Sequence, residues 1–268
     1  MRNQKTIELV LTSIFSAVIV IMAFTPLGYI PLVVINATII HIPVIIGSLF
    51  CGPKKGAFLG FVFGFTSFLK STLMPTSLSA FVFSPVLASS LLGITGVFRS
   101  LFICFVPRIM VGILPYFVFI GVRNLLKRNN KGGTFLLNLA ICGMLAFGIE
   151  IFLSKMEVGS MAVRLAVAVV IAAVVIAAIS KSVSGGKPAL VSFIYAGISG
   201  AFVNTLLVMG SIYFLYKDAY AEALSIGANE VLGVIGGIIS FNGVIEATVA
   251  AIIVSGVGIV LQKVKPIE

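Results

Sequence analysis

Charged side chains make up only 10% of these 268 residues, while 60% are hydrophobic and the mean hydropathy is +1.22. So little charge excludes a water-soluble domain and leaves an integral membrane protein. Histidine occurs once, at His41, with no second histidine or carboxylate at helical spacing, which argues against a metal site. Cys51, Cys104 and Cys142 lie too far apart for zinc spacing or a disulfide framework and read as packing residues. A G-x-x-x-x-G-K-[ST] phosphate loop, paired acids at catalytic spacing and a Ser/His/Asp set are also missing, so neither a motor nor an enzyme is expected, and no cofactor. No small-x-small cleavage site precedes Thr25-Pro26, and the N-terminal apolar stretch reads as a retained first span.

The charge that remains is lopsided, with 18 Lys and Arg against 8 Asp and Glu. A nucleic-acid partner would need a solvated basic face, whereas these cations fall in short clusters between apolar runs. They report topology instead. A helix needs about 20 apolar residues to cross a bilayer, and eight segments qualify or nearly do: 7–24, 33–50, 56–69, 101–122, 134–153, 162–180, 189–216 and 239–261. Asn36, His41 and Pro43 interrupt the second. With both termini cytoplasmic, twelve cations fall in inner segments and six, including Lys70 and Arg108, fall outside or within spans. Residues 25–32, 70–100 and 217–238 then become outer segments. The span 162–180, rich in alanine and valine, reads as a packing helix.

In CGPKKGAFLGFVFGF, Gly52, Gly56, Gly60 and Gly64 recur every four residues. Such a stripe lets helix backbones approach closely in lipid, and the sequence leaves open whether the neighbour is in this chain or in another protein. Ser13-x-x-x-Ala17 offers a similar small face on the first span.

Ionisable and amide groups inside spans are functional candidates, because burying them in lipid is costly. Counted from the nearest predicted inner cation, Arg108, Asn204, Glu246 and Thr38 lie 15, 17, 17 and 16 residues away. At 1.5 Å per residue that is roughly 22–26 Å into a core about 30 Å thick. Asn36, Asn242 and Glu150 lie slightly higher. This pattern describes a polar pocket opening outward, with Arg108 offering its fork to a carboxylate, Asn204 and Asn242 meeting amide or hydroxyl groups, and Tyr116 and Phe105 as apolar wall. Asn242 and Glu246, four apart, share a face. A plainer alternative has Arg108 snorkelling to the interface and pairing with Glu246 for structural reasons.

The stretch TPLGYIPLVVINATIIHIPVIIGSLFCGPKKGAFLGFVFGFTSF, with FVFSP, VPRI and the late FNGVIEA, resembles the substrate-binding S components of energy-coupling factor transporters, particularly the pantothenate-type members. The resemblance covers residues 7–122 and 189–262. It implies an all-α integral membrane bundle with a six-helix core. Residues 131–188 then form an inserted transmembrane hairpin within a single domain of residues 1–268. It further implies a multi-pass protein of the cell membrane that captures a vitamin from outside and topples to deliver it. A transmembrane coupling subunit, EcfT, and two ATP-binding cassette ATPases would supply the energy.

Ser13, Ala17, Gly56 and Gly60 would form the docking face for that coupling subunit, with Ser13-x-x-x-Ala17 in place of the family's usual alanine pair. Glu150 has no counterpart in the family pattern. Pantothenate, with a carboxylate, an amide and two hydroxyls, suits Arg108, Asn204, Asn242, Glu246, Asn36, Thr38 and Tyr116. Riboflavin and pyridoxine lack the carboxylate, and biotin keeps one. The competing class is a self-sufficient ion-coupled carrier using Glu246 and Glu150.

Overall fold

The computed structural model describes residues 2–31, 36–75, 77, 79–128, 131–155, 157–184 and 188–267. Eight helices run through them: α1 (Arg2–Phe24), α2 (His41–Cys51), α3 (Pro53–Leu73), α4 (Pro85–Lys127), α5 (Lys131–Lys155), α6 (Met161–Ser184), α7 (Pro188–Leu224) and α8 (Val231–Val264). Between α1 and α2 the chain forms a small antiparallel hairpin, β1 (Tyr29–Pro31) and β2 (Asn36–Thr38), with Tyr29 opposite Thr38. Five helices among the described residues, α1 from Gln4, α3, α4, α7 and α8, are long and apolar enough to cross a membrane. Phe58, Phe98, Phe214 and Ile252 are among the large apolar side chains they leave exposed, as lipid contact requires. The chain is a multi-pass membrane protein. Helices α5 and α6 stand where the inserted hairpin is expected.

Three boundaries depart from the expected spans. Instead of a helix over 33–50, α2 begins at His41 and has 11 residues. That is about 16 Å at 1.5 Å per residue, roughly half the hydrocarbon thickness. Pro43 explains the start, since a proline without an N–H is accommodated in the first turn of a helix but not in its interior. The second departure is the expected outer loop 70–100, much of which is helix because Pro85 sits at the first helical position of α4 and the Ser84 hydroxyl accepts the Leu87 N–H. The resulting 43-residue helix bends at Gly93, whose φ of 63° and ψ of −149° suit glycine alone. Third, the expected 217–238 segment shortens, with α7 reaching Leu224 and α8 starting at Val231.

The glycine stripe proves to be an internal contact. A Cβ on Gly56 would land on the Gly112 carbonyl oxygen, one on Gly60 on the Arg108 carbonyl oxygen, and one on Gly64 on the Cys104 carbonyl oxygen. Residues 104, 108 and 112 form the ridge of α4 that lies in this groove, running antiparallel to it. Gly56 and Gly60, expected on the docking face, are therefore covered by α4. Ser13 and Ala17 remain exposed on α1.

Two apolar cores result. One surrounds α2, every residue of which is buried, and draws in Phe63, Val111, Phe119, Phe193 and Val254. The other joins a 3-10 turn at Ala80–Phe83 to α4, the end of α7 and the start of α8 through Phe81, Ile103, Ile212, Tyr216 and Val231. Beside the first core, Glu8 pairs with Lys55 at 2.8 Å and Lys265 at 3.0 Å, Lys265 also donates to the Phe50 carbonyl at 2.6 Å, and Arg123 donates to the Ile267 carbonyl at 2.7 Å. The start of α1 and the end of α8 thus meet at one end of the bundle. Toward the opposite end, Arg99 donates to the Leu215 carbonyl at 2.8 Å where α7 bends at Tyr216.

Because α3 and α4 touch backbone to backbone, Gly60→Leu is expected to lower stability by about 1–3 kcal/mol or more through overpacking. Gly121→Leu, at a position where an added Cβ meets nothing, should leave stability unchanged. Thermal unfolding of both variants in detergent checks this.

Candidate functional site

A cavity of about 700 Å³ opens between the end of α1, the β hairpin, α3 and the segment that follows it. That volume falls within the range of small-molecule sites, about 300–1,000 Å³. On α3 its wall is Phe63, Ser67, Lys70 and Ser71, a single helix face at spacings of four, seven and eight, with Met74 just past the helix end. Phe24, Thr25, Pro26 and Tyr29 close one side and Ser77, Ala80 and Phe83 another. Thr38, Arg108 and Asn204 complete the lining. Exposure rises from Phe63 at 1% along α3 to Met74, just past its end, at 55%, so the cavity runs from a buried floor to an open rim.

Arg108 stands at the floor, and the chain around it explains how. Pro107 has no N–H to give the carbonyl of Ile103 four residues back, as a continuous helix would require. The Arg108 Nη1 donates to that carbonyl instead, at 2.8 Å. The guanidinium is held between the Phe63 and Phe83 rings, 5.4 and 5.0 Å from their centroids, an arrangement that favours a cation over aromatic faces. Its Nε is buried with no partner, and it forms no ion pair among the described residues. An unpaired charge so buried is expensive, and the cavity beside it is where a balancing anion would fit.

Glu246 forms no ion pair with Arg108 among the described residues. Its Oε1 accepts the Thr38 backbone N–H at 2.8 Å and its Oε2 the Thr205 hydroxyl at 2.7 Å. Both oxygens are engaged by the protein, and Glu246 is not among the residues lining the cavity. The carboxylate ties α8 to α7 and to the hairpin strand that carries Thr38, and the expected structural pair with Arg108 is absent among the described residues.

The other expected site residues divide. Asn204 lines the cavity with its Oδ1 buried and unpartnered. Asn242 is buried with its Oδ1 likewise unpartnered, but it does not line this cavity. Tyr116 packs against the α2-centred core with its ring edge-on to Phe117, and Phe105 stacks on Phe61 at 5.0 Å, so neither forms cavity wall. The Asn36 side chain lies outside the described residues, although its backbone pairs with Pro31 in the hairpin. Glu150 faces Arg164 across the α5–α6 hairpin at 3.6 Å.

Sequence reasoning passed over Lys70, Ser67, Ser71, Phe63, Phe83, Thr25 and Tyr29. Lys70 entered only as an outer charge, yet its ammonium sits 3.8 Å from the centroid of the Tyr29 ring. The polar positions 67, 70 and 71 of α3 share a face that helical periodicity alone reveals.

Among the described residues lining the cavity none is acidic, two are cationic and several carry hydroxyls. Such a surface suits an anion bearing further polar groups. The family model for the substrate-specific component of ECF transporters matches residues 8–258. Among curated relatives, the pantothenic acid transporter PanT of Lactococcus lactis subsp. cremoris (strain MG1363) is 41% identical over 129 residues, which cover 44% of this chain and 61% of the relative. The pantothenate transporter PanT of Leuconostoc mesenteroides subsp. mesenteroides is 33% identical over 151 residues, covering 54% of this chain and 65% of the relative. The chain thus spans less than two thirds of the length of these curated relatives. Because the family match runs through nearly every helix and the multi-pass bundle agrees with it, this chain belongs to the substrate-specific components of energy-coupling factor transporters.

Proposed function

We propose that this chain binds pantothenate from the outside of the cell membrane and passes it inward through a transmembrane coupling subunit driven by two ATP-binding cassette ATPases. The observation that carries the reading is the Arg108 guanidinium, buried at the cavity floor with no ion-paired carboxylate among the described residues. Pantothenate supplies one, and a charged fork-to-carboxylate contact is among the strongest hydrogen-bonded pairs available to a protein. Asn204 and the cavity hydroxyls suit its amide and alcohol groups. The names of the two relatives point to the same vitamin.

In this reading residues 1–268 form one domain, the chain crosses the membrane eight times, and both termini are cytoplasmic. The division of cations between segments supports that orientation, and the meeting of Glu8 with Lys55 and Lys265 supports both termini lying at the same end of the bundle. The exposed Ser13 and Ala17 face of α1 meets the coupling subunit. Glu246 acts at one remove, holding the hairpin over the cavity. A self-sufficient ion-coupled carrier is less well supported, because Glu246 and Glu150 are both engaged by other groups of the chain.

Three measurements test the proposal. Isothermal titration of the purified chain with pantothenate should give a saturable heat, and Arg108→Ala should abolish it while the variant keeps its fold by circular dichroism. Retention of binding within twofold by Arg108→Ala would place the carboxylate elsewhere. Glu246→Ala removes two buried hydrogen bonds and should weaken binding by roughly ten- to a hundredfold, on the scale of bonds to charged groups, and should expose the hairpin amides to faster hydrogen exchange. For orientation, single cysteines are placed in a chain whose three native cysteines are alanine. Ser77→Cys should react with a membrane-impermeant maleimide in intact cells, and Lys127→Cys should react only after lysis.

A further inference from the structure

We infer that Lys70 is a specificity-determining residue of this cavity: its ammonium receives the hydroxyl-bearing end of the ligand whose carboxylate is held at Arg108. The inference rests on the proposed binding of pantothenate and adds a direction to it.

The two cations stand at different levels of one wall. Phe63 lies against the guanidinium, and Lys70 is seven residues farther along the same α3 face, about 10 Å at 1.5 Å per residue. An extended pantothenate carries its carboxylate at one end and both hydroxyls at the other, with the amide between. The site therefore offers a charged group to each end of such a molecule.

Hydrogen-bonding capacity decides which end goes where. Arg108 can only donate, so its surroundings suit a group that only accepts. Around Lys70 the inventory is mixed. The Ser67 hydroxyl donates to the Phe63 carbonyl at 3.0 Å and the Thr25 hydroxyl to the Ile21 carbonyl at 2.8 Å. Their protons are spent on their own helices, and what they present to the cavity is oxygen lone pairs. A carboxylate there would meet acceptors, whereas an alcohol can donate to Ser67 or Thr25 and accept from the Lys70 ammonium.

The ammonium is also in a position to do this. It lies over the Tyr29 ring, and its N–H groups make no hydrogen bond among the described residues. Contact with the ring face offsets part of the cost of holding a cation away from water without consuming a donor. Lys70 so held also links α3 to strand β1, at the level where the cavity opens.

The test is a binding cycle on the purified full-length chain. Wild type, Lys70→Met and Arg108→Gln are titrated with three probes: pantothenate, its alcohol analogue in which CH2OH replaces the carboxylate, and the dehydroxylated acid. Lys70→Met should weaken pantothenate about tenfold, the scale of one hydrogen bond to a charged group. It should also narrow pantothenate's advantage over the dehydroxylated acid by about the same factor, since the Ser67 and Thr25 oxygens remain, while preserving the preference for acid over alcohol. Arg108→Gln should give the opposite pattern. Tyr29→Leu, which removes the ring beneath the ammonium, should shift selectivity in the direction of Lys70→Met, and it serves if that variant folds poorly. Pantothenate binding by Lys70→Met within twofold of wild type overturns the inference, as does loss of its preference for acid over alcohol. Failure of folded wild type to bind pantothenate overturns instead the reading on which the inference rests.

Discussion

Pro107 cannot donate to the carbonyl four residues back, and the Arg108 side chain takes up that bond, so a defect in the helix ladder becomes the fixture for the most buried cation of the cavity. The same turn of α4 is pressed against α3, because Gly60 lets the Arg108 carbonyl approach where any side chain would collide. Backbone contact fixes where the guanidinium begins, and the Ile103 carbonyl with the Phe63 and Phe83 rings fixes where it ends. Positioning of this kind leaves little freedom to be lost when an anion arrives, which is how a preorganised site gains affinity.

The electrostatics follow the same division. Glu246 is near enough in the fold to have been expected as a partner for Arg108, yet both of its oxygens are engaged by Thr38 and Thr205. In a medium of low dielectric an unpaired cation and a fully bonded carboxylate are very different objects. One attracts a ligand of opposite charge, and the other holds separate helices and a strand in register. Two buried ionisable groups at one level of the bundle thus serve recognition and architecture separately.

The sequence displayed the membrane class, the helix count and the polar residues of the floor, because hydropathy, cation clusters and isolated charges within apolar runs are local signals. Arg108, Thr38 and Asn204 do line one cavity. Tyr116, two turns from Arg108 on the same helix, packs instead against the α2-centred core and does not line this cavity, because its neighbours are set by tertiary packing that spacing along one helix does not give. The glycine stripe was legible as a close contact but not as to its neighbour, which depends on tertiary placement of α4. Lys70 escaped because charge counting assigned it to topology, and the aromatic face that holds it comes from a hairpin distant in sequence. Strand β2 was hidden inside an apolar run that reads equally well as a span until Pro43 is given its positional meaning.

Helix α2 supplies the remaining logic of the architecture. A row of side-by-side helices of full height would fill the cross-section of the bundle at every level, as close packing demands. Because α2 starts only at His41, the residues before it form a thin strand pair whose Tyr29 and Thr38 line the cavity. The receptacle is therefore not carved out of a packed interior at the expense of stability. It lies beside the unbuilt half of a helix, and that side of its wall is set by the residue at which the helix begins.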